Sequence, residues 1–535
     1  MSSDRVRFTF AAALLATGVI AIAVAVWSAA HGGIGWDTRY DTTASLAVRS
    51  LPPEMSLDKA YEAVPGVSEL YGVLPQQLGD ALHLLVTGSW ERLGPDDPAT
   101  YAYQGAASLL ITVIAITALA AAVWFAFDSL LAGALTWSLT LSTPLWLGMS
   151  HVDFKDAPVA AGLTLFTAGL LVGLKGAPGW SPTIAATALA AAGATVALGT
   201  RAGSLVLLSS LLLAAIAAAG ALSLASRRDN RTFAPDFRRL LAVSGGALGV
   251  GLATTWVTNP IARIAPFSWL QDAAELAASF PSVLTIRAAG EDLPSTNLPW
   301  WYVPAWLGVQ LPLLTSAALL SGLVVTVYWV ARHRPALDGR ALALSTPLLV
   351  QGVVLPVVIV ARRTVLYDGI RHLLFMLPAL LALAAVAFAA AERRARATPG
   401  PHRILLPAVA LLVVVASLQS AIRWAPYSYA YVNRFAGDEK GGRLPWELDY
   451  WGVTAREGVT RLTALGLTPV VSGPAADTGA PWGAVDADSV GSTEFGRYVF
   501  RRGDSSLGPE CTRVFAIVRG GRLLGEGGRC PPSSS

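Results

Sequence analysis

About eleven stretches of this chain are apolar over the length that crosses a bilayer, and that repetition constrains the fold more than any other feature. Backbone N–H and C=O groups have no water to bond in hydrocarbon, so each such run must satisfy its own peptides as a helix. The runs are Phe8 to Ala30, Gly105 to Phe127, Leu130 to Met149, Ala157 to Leu174, Thr183 to Thr200 and Ala202 to Ala225, then Leu241 to Val257, Val303 to Val330, Ala341 to Ala361, Leu373 to Ala391 and Ile404 to Ala421. With 54% hydrophobic residues, only 14% charged ones and a mean hydropathy of +0.53, an ordinary soluble globular protein is excluded. The expected fold class is mainly α: a polytopic helical membrane protein.

The first run follows Arg5 and Arg7, and Ser-Ala-Ala before His31 resembles a signal-peptide cleavage site, but the run is longer than the usual core of a signal peptide, which favours a retained first helix over a cleaved one. Counting from a cytoplasmic N-terminus, the loops Arg227 to Arg239, Arg332 to Arg340 and Glu392 to Arg403 all fall inside. They are the most arginine-rich loops, as the positive-inside rule requires. The same count puts outside a long first loop (31–103), the turn after Met149, Arg201, the segment Arg362 to His372 and everything after Arg423. The expected domains are a transmembrane domain over 1–423 and an extracytoplasmic α/β or mixed domain over 424–535, in a multi-pass protein of the cell membrane. Within the first loop, Thr42 to Leu51 and Gln77 to Leu93 suit short amphipathic helices at the interface. In the tail, Leu467 to Val471 and Arg513 to Val518 read as strands, and Pro531 to Ser535 as a disordered end.

The net charge of +4 is small and its basic residues flank apolar runs, which marks topology; no nucleic-acid motif is present. Cys511 and Cys530 are the two cysteines of the chain, and an external tail allows them to form a disulfide. Two thiols without a neighbouring ligand pair do not make a zinc site.

Chemistry is concentrated in a few polar insertions. Ser150-His-Val-Asp-Phe-Lys-Asp-Ala-Pro158 places His151, Asp153, Lys155 and Asp156 between two apolar runs, where ionisable groups mark functional sites by default. Capping of the following helix accounts for Asp156 but not for Asp153 and Lys155. Gly35-Trp-Asp-Thr-Arg-Tyr-Asp41 follows the first helix directly. It sets Asp37 at the membrane edge with Arg39 and Tyr40 beside it, where desolvation and a nearby cation tune a base, or where Asp37 simply pairs with Arg39. Arg201 stands nearly alone between apolar runs, while Tyr367, Asp368, Arg371 and His372 share a segment with Arg362 and Arg363. External arginines run against the topology trend, and a bidentate guanidinium suits a phosphate, so an anionic lipid head group is a fitting ligand. Asn297-Leu-Pro-Trp-Trp-Tyr-Val-Pro304 reads as an aromatic belt.

The long first loop with its early acid, the His-x-Asp-x-Lys-Asp-x-Pro turn, Leu-Pro-Trp-Trp-Tyr-x-Pro and Tyr-Asp-Gly-x-Arg-His occur in an order that resembles the GT-C membrane glycosyltransferases. The likeness is to the bacterial branch related to protein O-mannosyltransferases and aminoarabinose transferases. Pro426-Tyr-Ser-Tyr-Ala-Tyr-Val-Asn433 and Glu447-Leu-Asp-Tyr-Trp-Gly452 are also similar to segments after the last helix of such proteins, so the likeness covers roughly residues 1–462. It implies a GT-C-like fold and a hexosyl- or pentosyltransferase taking sugar from a polyprenyl-phosphate donor to a glycan, lipid or protein acceptor, among membrane lipids. Asp37 matches the first-loop acid by position, so it and Asp153 are the catalytic candidates. Lys155, Arg201, Arg371 and His372 are the candidate cations for the donor phosphate, and direct displacement inverts the anomeric centre. Thr38 stands where relatives often carry a second acid. That leaves the need for a divalent cation open, with Asp37 and Asp153 as the carboxylates available to one. A lipid or solute transporter, or a silent lipid-linked-sugar binder, is the rival class; transporters usually hold such groups at the bilayer midplane.

Overall fold

The computed structural model describes residues 3–64, 70–176, 180–228, 237–278, 280–281, 283–332, 339–395, 402–439, 444–472, 476–490, 494–500 and 506–532. Among these, nine helices are long and apolar enough to cross a membrane: Phe8–His31, Pro98–Phe127, Asp156–Lys175, Pro182–Thr200, Ser204–Ala221, Leu240–Thr258, Arg340–Ala361, Met376–Ala395 and Ile404–Trp424. The basic loops expected inside, 227–239, 332–340 and 392–403, fall largely outside the described residues, as do the last three residues of the tail.

Two of the expected straight runs are broken, each at a proline. Leu130 to Met149 becomes Leu130–Ser142 and Pro144–Val152, bent by 64°. Pro144 has no N–H to continue the ladder and drives Thr143 to an extended ψ of 122°. Val303 to Val330 likewise divides into Tyr302–Gln310 and Leu313–Arg332, with Leu311 extended before Pro312. A π-helical turn at Val350–Val354 interrupts a third run. It turns Gln351 inward, where the amide donates to Phe375 O at 2.7 Å and accepts from Thr167 Oγ1 at 2.5 Å.

Helix Asp156–Lys175 is the axis of the bundle, buried over nearly its whole length. Gly162 and Gly193 let its backbone lie against helix Trp180–Thr200, since a Cβ at Gly162 would come 2.7 Å from Ala197 N and Gly193 O. Its first turn therefore carries Asp156 into the middle of one end of the bundle. The first-loop helices Thr38–Arg49 and Leu74–Thr87 cap the same end. A hairpin of β1 (Thr285–Ala288) and β2 (Glu291–Pro294) lies there as well, turning through Ala289 and Gly290 at positive φ.

Past Trp424 the chain crosses this end before forming a four-stranded sheet. Its order is β3-β4-β6-β5, from β3 (Thr468–Ser472), β4 (Phe495–Phe500), β5 (Thr512–Arg519) and β6 (Arg522–Cys530). β3 and β4 run parallel; helix Ala455–Ala464, which precedes β3, packs against both, and the remaining pairs are antiparallel. Cys511 and Cys530 form a disulfide. The boundary expected at residue 424 marks the end of the last apolar helix, but the hydrophobic core continues across it, from Leu163 and Met376 in the bundle to Tyr450, Leu462 and Tyr498. Arg456 ties the two together by donating to the carbonyls of Ala30 and Gly32, both at 2.8 Å.

Candidate functional site

The site forms where three polar insertions meet at that end. After the first helix, Asp37 stands at the start of helix Thr38–Arg49 without a side-chain capping bond, and Asp41 follows one turn later; Asp41 N donates to Asp37 O at 2.9 Å. Both carboxylates therefore leave one face, and Lys155 Nζ lies between them, 2.8 Å from Oδ2 of each. Burial pushes the Asp37 carboxyl up, but Lys155 and Arg371 outweigh it and hold it below its ordinary value. For Asp41 burial wins, reinforced by Asp37, and its pKa rises to about 6. Lys155 loses solvation yet gains two carboxylates, so its ammonium is held well above its usual range.

The turn between Pro144–Val152 and Asp156–Lys175 distributes its acids in a way opposite to the expectation. Asp153, not Asp156, binds the free peptide groups at the helix start: its Oδ1 accepts from the N–H of Lys155 and of Asp156, each at 2.8 Å. Asp156 is released for ion pairing, with Oδ1 3.0 Å from Arg201 and Oδ2 2.7 Å from Arg371. Asp153 is 1% exposed, its Oδ2 has no hydrogen-bond partner, and burial beside Asp156 raises its pKa to about 7. His151 is buried too, with Nδ1 3.0 Å from Leu147 O, and Gly148 makes room there for the backbone of Tyr429.

The third insertion turns sharply inward. Asp368 and Gly369 adopt φ of 56° and 71°, and Tyr302 Oη donates to Gly369 O at 3.0 Å. That sharp turn sinks Arg371 to 1% exposure, 3.4 Å from Asp368 Oδ2, with its guanidinium over the rings of Tyr367 and Trp451 at 4.7 and 4.9 Å. Trp451 Nε1 in turn donates to Asp368 Oδ2 at 3.2 Å, so the segment after the last helix helps to set the arginine. In both Arg201 and Arg371 the buried Nε has no hydrogen-bond partner.

Asp37, Asp153, Lys155, Asp156, Arg201, Tyr367, Asp368 and Arg371 thus converge. Three other candidates, Arg39, Tyr40 and His372, take no part in these ion pairs. Arg39 points away from Asp37 and pairs with Asp96 at 2.6 Å and Asp477 at 3.4 Å, and Tyr40 is 42% exposed. For His372 burial, and then Arg371, push the pKa well below the ordinary value, and its ring packs edge-on against Tyr367. The two arginines 362 and 363 are exposed at the rim.

The arrangement adds residues the sequence reading passed over. Asp41 was legible as a carboxylate four residues after Asp37, on one face of an amphipathic helix. Tyr71 had no signal of its own; it reaches the site because Gly72 N bonds Thr200 O at 2.9 Å, which sets its ring 5.2 Å from Lys155 and 5.4 Å from Arg201. Among the described residues no group of three His, Cys, Asp or Glu side chains could hold a metal ion, since Asp37 takes the Lys155 ammonium and Asp153 caps a helix.

No family model and no curated protein matches the sequence. Solved structures do. The chain is similar to ArnT from Cupriavidus metallidurans bound to undecaprenyl phosphate, with a TM-score of 0.50 and 12% identity over 96% of this chain and 97% of that one. It is also similar to the archaeal oligosaccharyltransferase AglB from Archaeoglobus fulgidus in complex with an inhibitory peptide and a dolichol-phosphate, with a TM-score of 0.50 and 11% identity over 90% of this chain and 65% of that one. The chain therefore has the fold of these two proteins, the GT-C fold expected from its sequence.

Proposed function

We propose that this protein is a glycosyltransferase that moves a sugar from a polyprenyl-phosphate donor to an acceptor hydroxyl at the outer face of the cytoplasmic membrane, with inversion at the anomeric carbon. One observation carries the reading. Two guanidiniums with buried, unused Nε donors, Arg201 and Arg371, lie in the same cluster as a pair of carboxylates held by Lys155. Guanidiniums and an ammonium receive the charge that develops on a leaving phosphate, and a carboxylate accepts the proton of the attacking hydroxyl. The acceptor oxygen forms the new bond to the anomeric carbon as the bond from that carbon to phosphate oxygen breaks. Polyprenyl phosphate leaves, and the proton passes to Asp37. The undecaprenyl phosphate and dolichol-phosphate held by the two structural neighbours support a lipid phosphate as the donor's carrier.

The cluster sits at one end of the helices, level with Asp156 at the start of one span and Thr200 at the end of the next, and not at their middle. That position favours surface chemistry over transport through the bundle. Purified protein supplied with radiolabelled polyprenyl-phosphate sugars tests the reading; label must leave the lipid for a second molecule in the presence of an acceptor extract, and retention of all label on the lipid counts against it. A phosphatase fused after Ser535 should be active outside, and a cytoplasmic C-terminus would displace the proposed site to the wrong face.

A further inference from the structure

The stretch Glu447-Leu-Asp-Tyr-Trp-Gly452 holds a carboxylate that the proposed chemistry does not use. Asp449 is fully buried, and its two oxygens accept four hydrogen bonds: Oδ1 from Tyr429 Oη and from Val453 N at 3.0 Å, Oδ2 from Thr454 Oγ1 and from Thr454 N at 3.2 Å. Burying a carboxylate is costly, and what it adds over an amide is acceptance on both oxygens. These bonds do not cap the helix that follows, whose start at Ala455 lies beyond them; they fix the turn that leads into it. The turn is closed further by Gly452 N, which donates to Asp449 O at 3.1 Å with Gly452 at a φ of 70°, and by Tyr498 Oη, which donates to Thr454 Oγ1 at 2.5 Å. Residues 449–454 are thereby held as one unit.

That unit reaches both sides of the site. The Trp451 indole donates to Asp368 Oδ2 at 3.2 Å and lies 4.9 Å from the Arg371 guanidinium, while a Cβ on Gly35 would come 3.0 Å from the same ring. Val453 O accepts from Gly33 N at 3.2 Å, and Gly35 O accepts from Thr38 N at 3.0 Å, which closes the turn that holds Asp37. Trp451 thus lies against both the arginine and the turn of the base. We propose that Asp449 is a positioning residue for the transfer: by fixing Trp451 and Val453 it sets the distance between the Asp37 carboxylate and Arg371, and so between the attacking hydroxyl and the leaving phosphate. The inference rests on the glycosyltransferase reading above and deepens it. A displacement of about 1 Å at reacting groups costs about a hundredfold in rate.

The test measures transfer by the full-length protein in nanodiscs from polyprenyl phosphate bearing radiolabelled glucose, mannose, galactose, glucosamine or arabinose to an acceptor extract, with the donor that the wild type uses. Asp449→Asn should lower kcat at saturating donor by about ten- to a hundredfold in protein that still melts cooperatively. Added to Asp37→Asn or to Arg371→Ala, the same substitution should cost less than about threefold, because residues that act through one shared geometry are not additive. A residue that only supports the fold costs the same factor in every background. Thr454→Val removes one donor to Asp449 and should act in the same direction, with Thr454→Ser restoring the rate; the same combinations built on Thr454→Val decide the question if Asp449→Asn does not fold. The assignment is overturned if folded Asp449→Asn, or Thr454→Val in its place, turns over normally, if its cost persists in either background, or if Thr454→Ser is as slow as Thr454→Val. A wild type that transfers no label from any of these donors is a different failure, which removes the glycosyltransferase reading and this inference with it.

Discussion

Lys155 Nζ stands 2.8 Å from the carboxylate of Asp37 and 2.8 Å from that of Asp41, so a single ammonium holds two acids that would otherwise repel each other in a desolvated site. All three side chains are at most 20% exposed. Removing one partner from a buried ionic group leaves charge uncompensated, typically at a cost of about 3–5 kcal/mol. Lys155→Met, which keeps the apolar stem, should therefore lower the thermal midpoint markedly, and adding Asp41→Asn should restore part of the loss. Additive losses in the double variant would show that the three groups do not act as a unit.

Asp37→Asn preserves shape and removes the proposed proton acceptor. Transfer should fall by about two to four orders of magnitude, the usual share of general-base catalysis, with donor binding retained. Asp96→Asn is the comparison: it removes an exposed partner of Arg39 and should leave turnover near normal. Equal turnover in both variants would shift the base to another carboxylate, Asp153 first.

Asp41 gives a pH dependence of defined sign. Its pKa is raised from 3.8 to about 6 in the folded chain. Folding thus favours the protonated form, and the stability this group contributes is complete below about 3.8 and lost as pH rises through about 6. Asp37 is shifted downward, so its contribution changes only as pH falls below the ordinary carboxylate range, outside that window. Melting curves of wild type and Asp41→Asn should coincide near about pH 4 and separate by about pH 7.5, the variant melting higher. A variant that melts lower throughout would mean that its contact with Lys155 outweighs the burial of its charge.

Arg371→Ala should weaken donor use more than acceptor use, because one charge-assisted contact to phosphate is worth about 1.5–3 kcal/mol, or roughly ten- to a hundredfold. Arg371→Lys should recover little of it. A lysine cannot satisfy Asp156 and Asp368 while lying flat between Tyr367 and Trp451, as the guanidinium does. Donor kinetics at fixed acceptor, then the reverse, separate the two effects; unchanged donor dependence would take Arg371 out of the phosphate site.

The disulfide between Cys511 and Cys530 spans 19 residues of sequence and fastens the start of β5 to the end of β6. On the chain-entropy estimate a loop of this size contributes about 3 kcal/mol. Reductant should lower the melting temperature of the sheet, and Cys511→Ser/Cys530→Ser should show the same lowering without reductant. Full thiol labelling of the untreated protein would contradict the bond.

The membrane bundle was legible because its signal is additive: twenty or so apolar residues in a row outvote any local irregularity. What the sequence could not show was where a run is interrupted by geometry that one proline sets, as at Pro144 and Pro312. The site was legible in its charges. Asp37, Lys155, Asp156, Arg201 and Arg371 are conspicuous between apolar runs because burying charge is costly. Their pairings were not legible, because these depend on which segments the bundle brings face to face. Asp37 and Lys155 are 118 residues apart, and Asp156 and Arg371 are 215 apart. Asp153 and Asp156 exchanged roles for a local reason: Asp153 precedes the first helical turn by enough to reach two backbone N–H groups, whereas Asp156 already lies within it.

The bonds from Arg456 to the carbonyls of Ala30 and Gly32, and from Gly33 N to Val453 O, join stretches more than four hundred residues apart at the turn that presents Asp37. Trp451 joins the same late stretch to Arg371. These contacts impose an order in time. While the chain is being made, the helices can insert one after another, yet the turn that presents the acid near its start gains these further contacts only when residues close to its end have emerged and folded over it. On the proposed function, a chain cut short after its last helix would lack the contacts that set this turn, and one still under synthesis would be inert toward the lipids that surround it.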